Sequence, residues 1–100
     1  FSFQLERYGA EGDILLCISS SGNSPNIIKA LEKAKKIGMI TISFVGFDGG
    51  KAKNLSDHSI HIDIPNYGVV EDLHQSLMHI LAQFIRLNFL DTEEIGALKF

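Results

Sequence analysis

Two groups of residues in this chain can do chemistry. The first is Ser19-Ser20-Ser21-Gly22-Asn23-Ser24, followed by Pro25. Hydroxyls and backbone N–H groups gathered at a helix start, where the helix dipole is positive, make an anion site, most often for phosphate. An ordinary capped helix also explains Ser24 and Pro25, but not three further serines in a row. The loop lacks the lysine of a Walker P-loop and the glycine spacing of a dinucleotide fold, which sets nucleoside triphosphates and NAD aside. The second group is Glu71, Gln75 and His79, spaced i, i+4, i+8, with His74 close by. On a helix these three line one polar stripe. A carboxylate and an imidazole there can act as base and acid near neutral pH. The same spacing describes a solvated helix face with His79 packed at its edge, and the pattern alone favours that description.

The elements around the serines are readable. Residues 13–18 form a continuous apolar run, as a buried parallel strand requires. Ile27, Ile28, Leu31, Ala34 and Ile37 recur at helical spacing, with Ser24 at the N-cap, Pro25 at the first helical position and Gly38 at the end. The order is strand, hydroxyl-rich turn, helix. Residues 39–45 are rich in β-branched types and follow Gly38 directly, which predicts a second parallel strand. Gly46-Phe-Asp-Gly-Gly50 then ends that strand at the same sheet edge as the serines, where α/β ligand sites gather. A short helical segment follows over 51–55, and 59–64 alternates as an outer strand does. The last large element is a helix over about 69–90. Its predicted apolar arc is Leu73, Leu77, Ile80, Leu81, Phe84 and Ile85, with His74 at the arc's margin. Residues 1–8 carry Phe1, Leu5 and Tyr8 on one side, which suits a helix packed on a sheet.

The whole chain narrows the function classes. Its 100 residues make one small domain or part of one, with a globular balance of 45% hydrophobic and 21% charged residues. A net charge of −3 leaves no broad basic surface for nucleic acid. Lys29, Lys33, Lys35 and Lys36 read as a charged outer helix face. No apolar run is long enough to span a membrane, and Cys17 is a lone core residue that suits a reducing compartment. Cytoplasm is therefore the expected location. The chain opens on Phe1, in what reads as the last turns of a helix. Three strands bury little by themselves, so we expect the C-terminal part of a longer α/β protein.

Ile18-Ser-Ser-Ser-Gly-Asn-Ser24, then Phe47-Asp-Gly-Gly-Lys51, then a strand and a helix bearing His74 and His79, resembles the SIS (sugar isomerase) domain. Within it the chain is most similar to phosphoheptose (sedoheptulose 7-phosphate) isomerases, from about residue 5 to about residue 88. The resemblance implies an α/β fold: a doubly wound, flavodoxin- or Rossmann-like parallel sheet flanked by helices. Residues 1–100 would form a single SIS domain without its N-terminal helices and first strands. It implies that Ser19, Ser20, Ser21, Gly22, Asn23 and Ser24 hold a sugar phosphate. The family's late helix carries Q-E-x-H-x-x-x-x-H. Here Glu71 stands at the Gln, Asp72 at the Glu, and His74 and His79 match the two histidines. The acidic residue that precedes the family's Gln is replaced by Gly68. By the resemblance His79 does acid/base work with Glu71, and in members that bind zinc the metal would fall to His79 and Glu71. Eight helical residues rise about 12 Å, so that pair can share one ion only if Glu71 precedes the regular helix.

The resemblance thus implies an aldose–ketose phosphosugar isomerase, of the heptose kind that serves surface polysaccharide synthesis. No cofactor is required for that chemistry, with zinc as an option in the family. The alternative from a different class is a non-catalytic SIS module that senses a phosphosugar or recognises a protein, as relatives that bind a replication initiator do. Either form is expected to be a homodimer or homotetramer, because the late helix carries more Leu, Ile and Phe than three strands can cover.

Overall fold

The computed structural model describes residues 1–90 and Gly96. The tail 91–100, whose sequence suggests a fraying end or a subunit contact, lies, Gly96 aside, outside the described residues. The apolar runs become β1 (Ile14–Ser19), β2 (Ile40–Val45) and β3 (His58–His61), which make one parallel sheet in that order. Ile14 pairs with Ile40 and Ser19 with Val45, while β3 sets His61 opposite Val45. All three strands therefore stop at one edge, and the loops that follow them meet there.

The helix α2 (Pro25–Ile37) crosses from β1 to β2, and α3 (Gly50–Leu55) from β2 to β3. They cover one face of the sheet, where Leu31 and Ala52 pack on Cys17 and Val45 within a rim of Leu15, Ile27, Ile28 and Leu55. Burying a side chain of Leu or Val size contributes about 1.5–3 kcal/mol. Gly38, at φ +91°, ends α2 as expected. Side chains alternate along a strand, so Phe44 faces away from Val45. The Phe44 ring lies 6.1 Å from that of His74, on the helix α4 (Tyr67–Asn88). Helices thus cover both faces, as the doubly wound reading requires.

Three details differ from expectation. α4 starts two residues early because Asn66 caps it, its Oδ1 accepting from the Val69 N–H at 3.1 Å. β3 stops at His61 rather than 64, where its ladder with β2 runs out. The third difference is the largest. The face of α4 turned to the sheet is Val70 and His74, followed by half-buried Leu77, Met78 and Leu81, while Leu73, Ile80, Phe84 and Ile85 remain exposed. Val70 sets this rotation by packing over Gly46, where a Cβ would lie 2.8 Å from Val70 Cγ2. His74 is therefore central to the contact, not marginal. Finally, α1 (Ser2–Tyr8) packs chiefly beside α2, with Glu6 3.7 Å from Lys33, and leaves Phe1 and Tyr8 exposed.

Candidate functional site

The serine loop leaves the end of β1 and is tied to itself first. Ser19, buried, accepts from the Gly22 N–H at 3.1 Å and lies 3.4 Å from the Ser24 hydroxyl. Ser21 Oγ accepts from the Asn23 N–H at 3.2 Å. Ser24 occupies the N-cap of α2 as the sequence suggests, yet its side chain makes no cap bond and turns toward Ser19 instead. Its carbonyl takes the N–H groups of Ile27 and Ile28, both at 3.0 Å. A serine hydroxyl that accepts one bond still has its own proton to donate, so Ser21 remains able to bond an anion. The Ser20 hydroxyl makes no hydrogen bond to the described residues and lines a cleft against α4.

The glycine turn after β2 clamps this loop from outside. Gly22 sits at φ +69°, and a Cβ there would come within 2.7 Å of the Gly49 carbonyl carbon. Gly50, at φ +56°, faces Gly22 in the same way: a Cβ on it would lie 2.6 Å from the Gly22 carbonyl carbon. Only glycine on both sides permits this approach. Two bonds lock it: Ala52 N–H to the Gly22 carbonyl at 2.9 Å, and Lys51 N–H to Asn23 Oδ1 at 3.0 Å. Asn23 is thus a strut between the two loops. The sequence placed both loops at one edge. Their backbone contact is the new fact.

On the other side the loop faces α4 across a cleft of about 270 Å³, lined by Ile18, Ser20, Glu71, His74, Gln75 and Met78. Glu71 is therefore brought to the serine loop. His79 is not: it lies one turn beyond Gln75, exposed, with its Nε2 3.5 Å from the Gln75 amide nitrogen. His74 is 2% exposed and donates from Nε2 to the Val45 carbonyl at 3.1 Å. The stripe of Glu71, Gln75 and His79 is real. Its two ends serve different places.

The donor set bears on zinc. Glu71 falls in the second turn of α4, so the regular helix spans both residues and about 12 Å of rise separates Glu71 from His79. The condition for shared ligation is not met in this geometry. Among the described residues, no three or more His, Cys, Asp or Glu side chains gather as a metal would need.

One cluster was not visible in the sequence. His61 donates from Nε2 to the Phe47 carbonyl at 2.7 Å and accepts at Nδ1 from the Lys53 ammonium at 3.1 Å. Phe47 has φ +49°, rare for an aromatic residue, and its ring lies 4.7 Å from that of Tyr67. These contacts brace the glycine turn from the β3 side. The alternation of residues 59–64 suggests which β3 side chains share a face, but carries no sign of a partner 14 residues away.

Comparison with known proteins bears out the resemblance and the fold. Residues 1–46 match the SIS domain family. The chain is 43% identical over 83 residues to a phosphoheptose isomerase of Fusobacterium nucleatum, covering 83% of this chain and 43% of that protein. It is 44% identical over 88 residues to a phosphoheptose isomerase of Vibrio cholerae, covering 85% of this chain and 45% of that one. The structure of a phosphoheptose isomerase from Neisseria gonorrhoeae superposes with a TM-score of 0.82 at 34% identity, over 85% of this chain and 49% of that chain. One from Francisella tularensis gives a TM-score of 0.82 at 33% identity, over 85% and 46%. The chain spans about half the length of the curated relatives it matches.

Proposed function

We propose that this chain belongs to the phosphoheptose isomerases of the SIS family and forms part of an aldose–ketose phosphosugar isomerase, with sedoheptulose 7-phosphate as substrate. The observation that carries this is the serine loop, clamped at the C-terminal edge of the sheet and opening on a cleft shared with Glu71. In this reading Ser20, Ser21, Ser24 and the N-terminal turn of α2 take the phosphate, while Ser19, Gly22 and Asn23 hold the loop in shape. The phosphate of a 7-phosphate lies at one end of the sugar and the C1–C2 pair at the other. The groups that move the proton must then stand well away from the serines. Glu71 lines the cleft beside the serine loop, whereas His79 stands two turns further along α4, past Gln75, so His79 is the one of the pair with that separation. One takes the proton from a carbon and returns it to the neighbour through an enediol, and the other serves the oxygen. No redox group takes part in such a transfer. Zinc held jointly by Glu71 and His79 is not part of this proposal, given the geometry of α4.

The exposed row of Leu73, Ile80, Phe84 and Ile85 supports a homodimer or homotetramer built on α4. Buried Cys17 supports a reducing, cytoplasmic setting. Among the described residues no helix is long and apolar enough to cross a membrane.

The test is an isomerisation assay of the full-length protein with sedoheptulose 7-phosphate, run on wild type and His79→Ala. Turnover by wild type that vanishes in the variant, with phosphate binding retained, is expected. Equal turnover in both would remove His79 from the mechanism. Saturable binding without turnover in wild type would establish the non-catalytic SIS module instead.

A further inference from the structure

His74 is fully enclosed, yet only one of its ring nitrogens is used. Nε2 donates to the Val45 carbonyl at 3.1 Å. A neutral imidazole that donates from Nε2 carries its lone pair on Nδ1. Nδ1 is buried and has no hydrogen-bond partner among the described residues. Leaving such an acceptor unpaired is destabilising, and native structures rarely keep one without a use. A purely structural histidine here would be better replaced by a residue with a single donor. The ring also belongs to the wall of the cleft that Ser20 and Glu71 share. On the other side of that cleft the Ser20 hydroxyl is also without a partner among the described residues.

We propose that His74 Nδ1 accepts a hydrogen bond from a hydroxyl of the ligand, so that this cleft reads the polyol part while the serine loop reads the phosphate. This rests on the phosphosugar reading above and assigns it a further binding residue. The occupant must be a hydrogen-bond donor, because Nδ1 can only accept while Nε2–H holds Val45. Inorganic phosphate, though it carries a proton at neutral pH, has no chain that extends from the serine loop to this wall; the hydroxyl chain of a phosphosugar has. Gln75 and Met78, beside His74 on the α4 wall, have long unbranched side chains that can shift to admit it.

The experiment follows the side-chain ¹⁵N resonances of His74 and the backbone amides of Ser20–Ser24 in the full-length protein. Sedoheptulose 7-phosphate and inorganic phosphate are added in parallel. With the sugar phosphate, the Nδ1 resonance is expected to move upfield, as an imidazole lone pair does on accepting a hydrogen bond, and to saturate together with the loop amides. With inorganic phosphate only the loop amides should move. Loop amides that respond to the sugar phosphate while Nδ1 stays still would overturn this inference and leave the phosphosugar reading intact. Silence of both would overturn both. An Nδ1 resonance already at its hydrogen-bonded position before any addition, and unmoved afterwards, would assign it a trapped water and overturn the inference.

A second readout uses His74→Gln, whose amide can still donate to Val45. Affinity for the sugar phosphate should fall about threefold to tenfold, one ordinary hydrogen bond, with affinity for inorganic phosphate unchanged. An equal loss for both would mean that His74 only supports the fold. If the variant does not fold, the wild-type resonances decide.

Discussion

Replacing Gly22 by Ala tests whether the serine loop owes its shape to the glycine turn. Two costs add. A residue with a Cβ at φ +69° is strained by about 1–2 kcal/mol. The Cβ would also overlap the Gly49 carbonyl oxygen and sit 2.7 Å from its carbon, whereas ordinary contact begins near 3.4 Å, so the two backbones must move well apart. That movement stretches the Ala52 N–H bond to the Gly22 carbonyl and the Lys51 N–H bond to Asn23, now 2.9 and 3.0 Å. Each is worth about 1 kcal/mol. The expected loss is therefore about 3–4 kcal/mol, a large part of the usual 5–15 kcal/mol of a domain. Gly12→Ala supplies the control: its φ of +87° imposes comparable strain, but nothing lies within 4 Å of the added Cβ. Urea unfolding of both variants separates the terms. Gly12→Ala should lose only about 1–2 kcal/mol, and the excess in Gly22→Ala measures the close approach. Phosphate binding should weaken in Gly22→Ala alone. Equal losses for the two variants would refute the clamp and reduce Gly22 to an ordinary turn glycine.

Two further expectations concern titration and reactivity. The Thr41 N–H and then the Thr41 hydroxyl, both bonded to Asp57 Oδ2 at 2.8 and 3.1 Å, hold its carboxyl below the usual aspartate range. The folded state therefore binds that proton less readily than the unfolded one. The stabilisation is fully present above about pH 4 and lost as pH falls through the lowered folded value. Asp57→Asn should accordingly be less stable than wild type at pH 7, with the gap closing in acid; a gap independent of pH would refute the assignment. Burial pushes the Cys17 thiol up, so little thiolate forms at neutral pH. Iodoacetamide should label it at the rate of unfolding, and fast labelling of native protein would contradict its place under Leu31 and Val45.

The strands and α2 were legible because each carries a complete local signal. Residues 14–18 have no polar interruption, and α2 has its cap position, its proline and its terminal glycine in sequence. The serine loop was legible as a candidate anion site for the same reason, since its parts are contiguous. What could not be read depends on partners far along the chain. Periodicity gave α4 an apolar arc through Leu73, Ile80 and Phe84, the side with the most large side chains. The sheet selected the side carrying Val70 and His74. Val70 fits because Gly46, 24 positions away, offers no side chain, and His74 fits because the Val45 carbonyl accepts its proton. A helical pattern counts hydrophobicity and cannot know which carbonyl needs a donor. The same limit explains Ser24, whose cap position was correct while its hydroxyl went to Ser19, a partner the capping rule does not consider. In both cases a polar contact takes part in the local arrangement, and in both cases it lies at the candidate site. A polar contact placed there at the expense of apolar burial leaves Leu73, Ile80 and Phe84 in solvent. Such a trade is intelligible if the cleft beneath His74, rather than the packing of α4, is what the fold preserves.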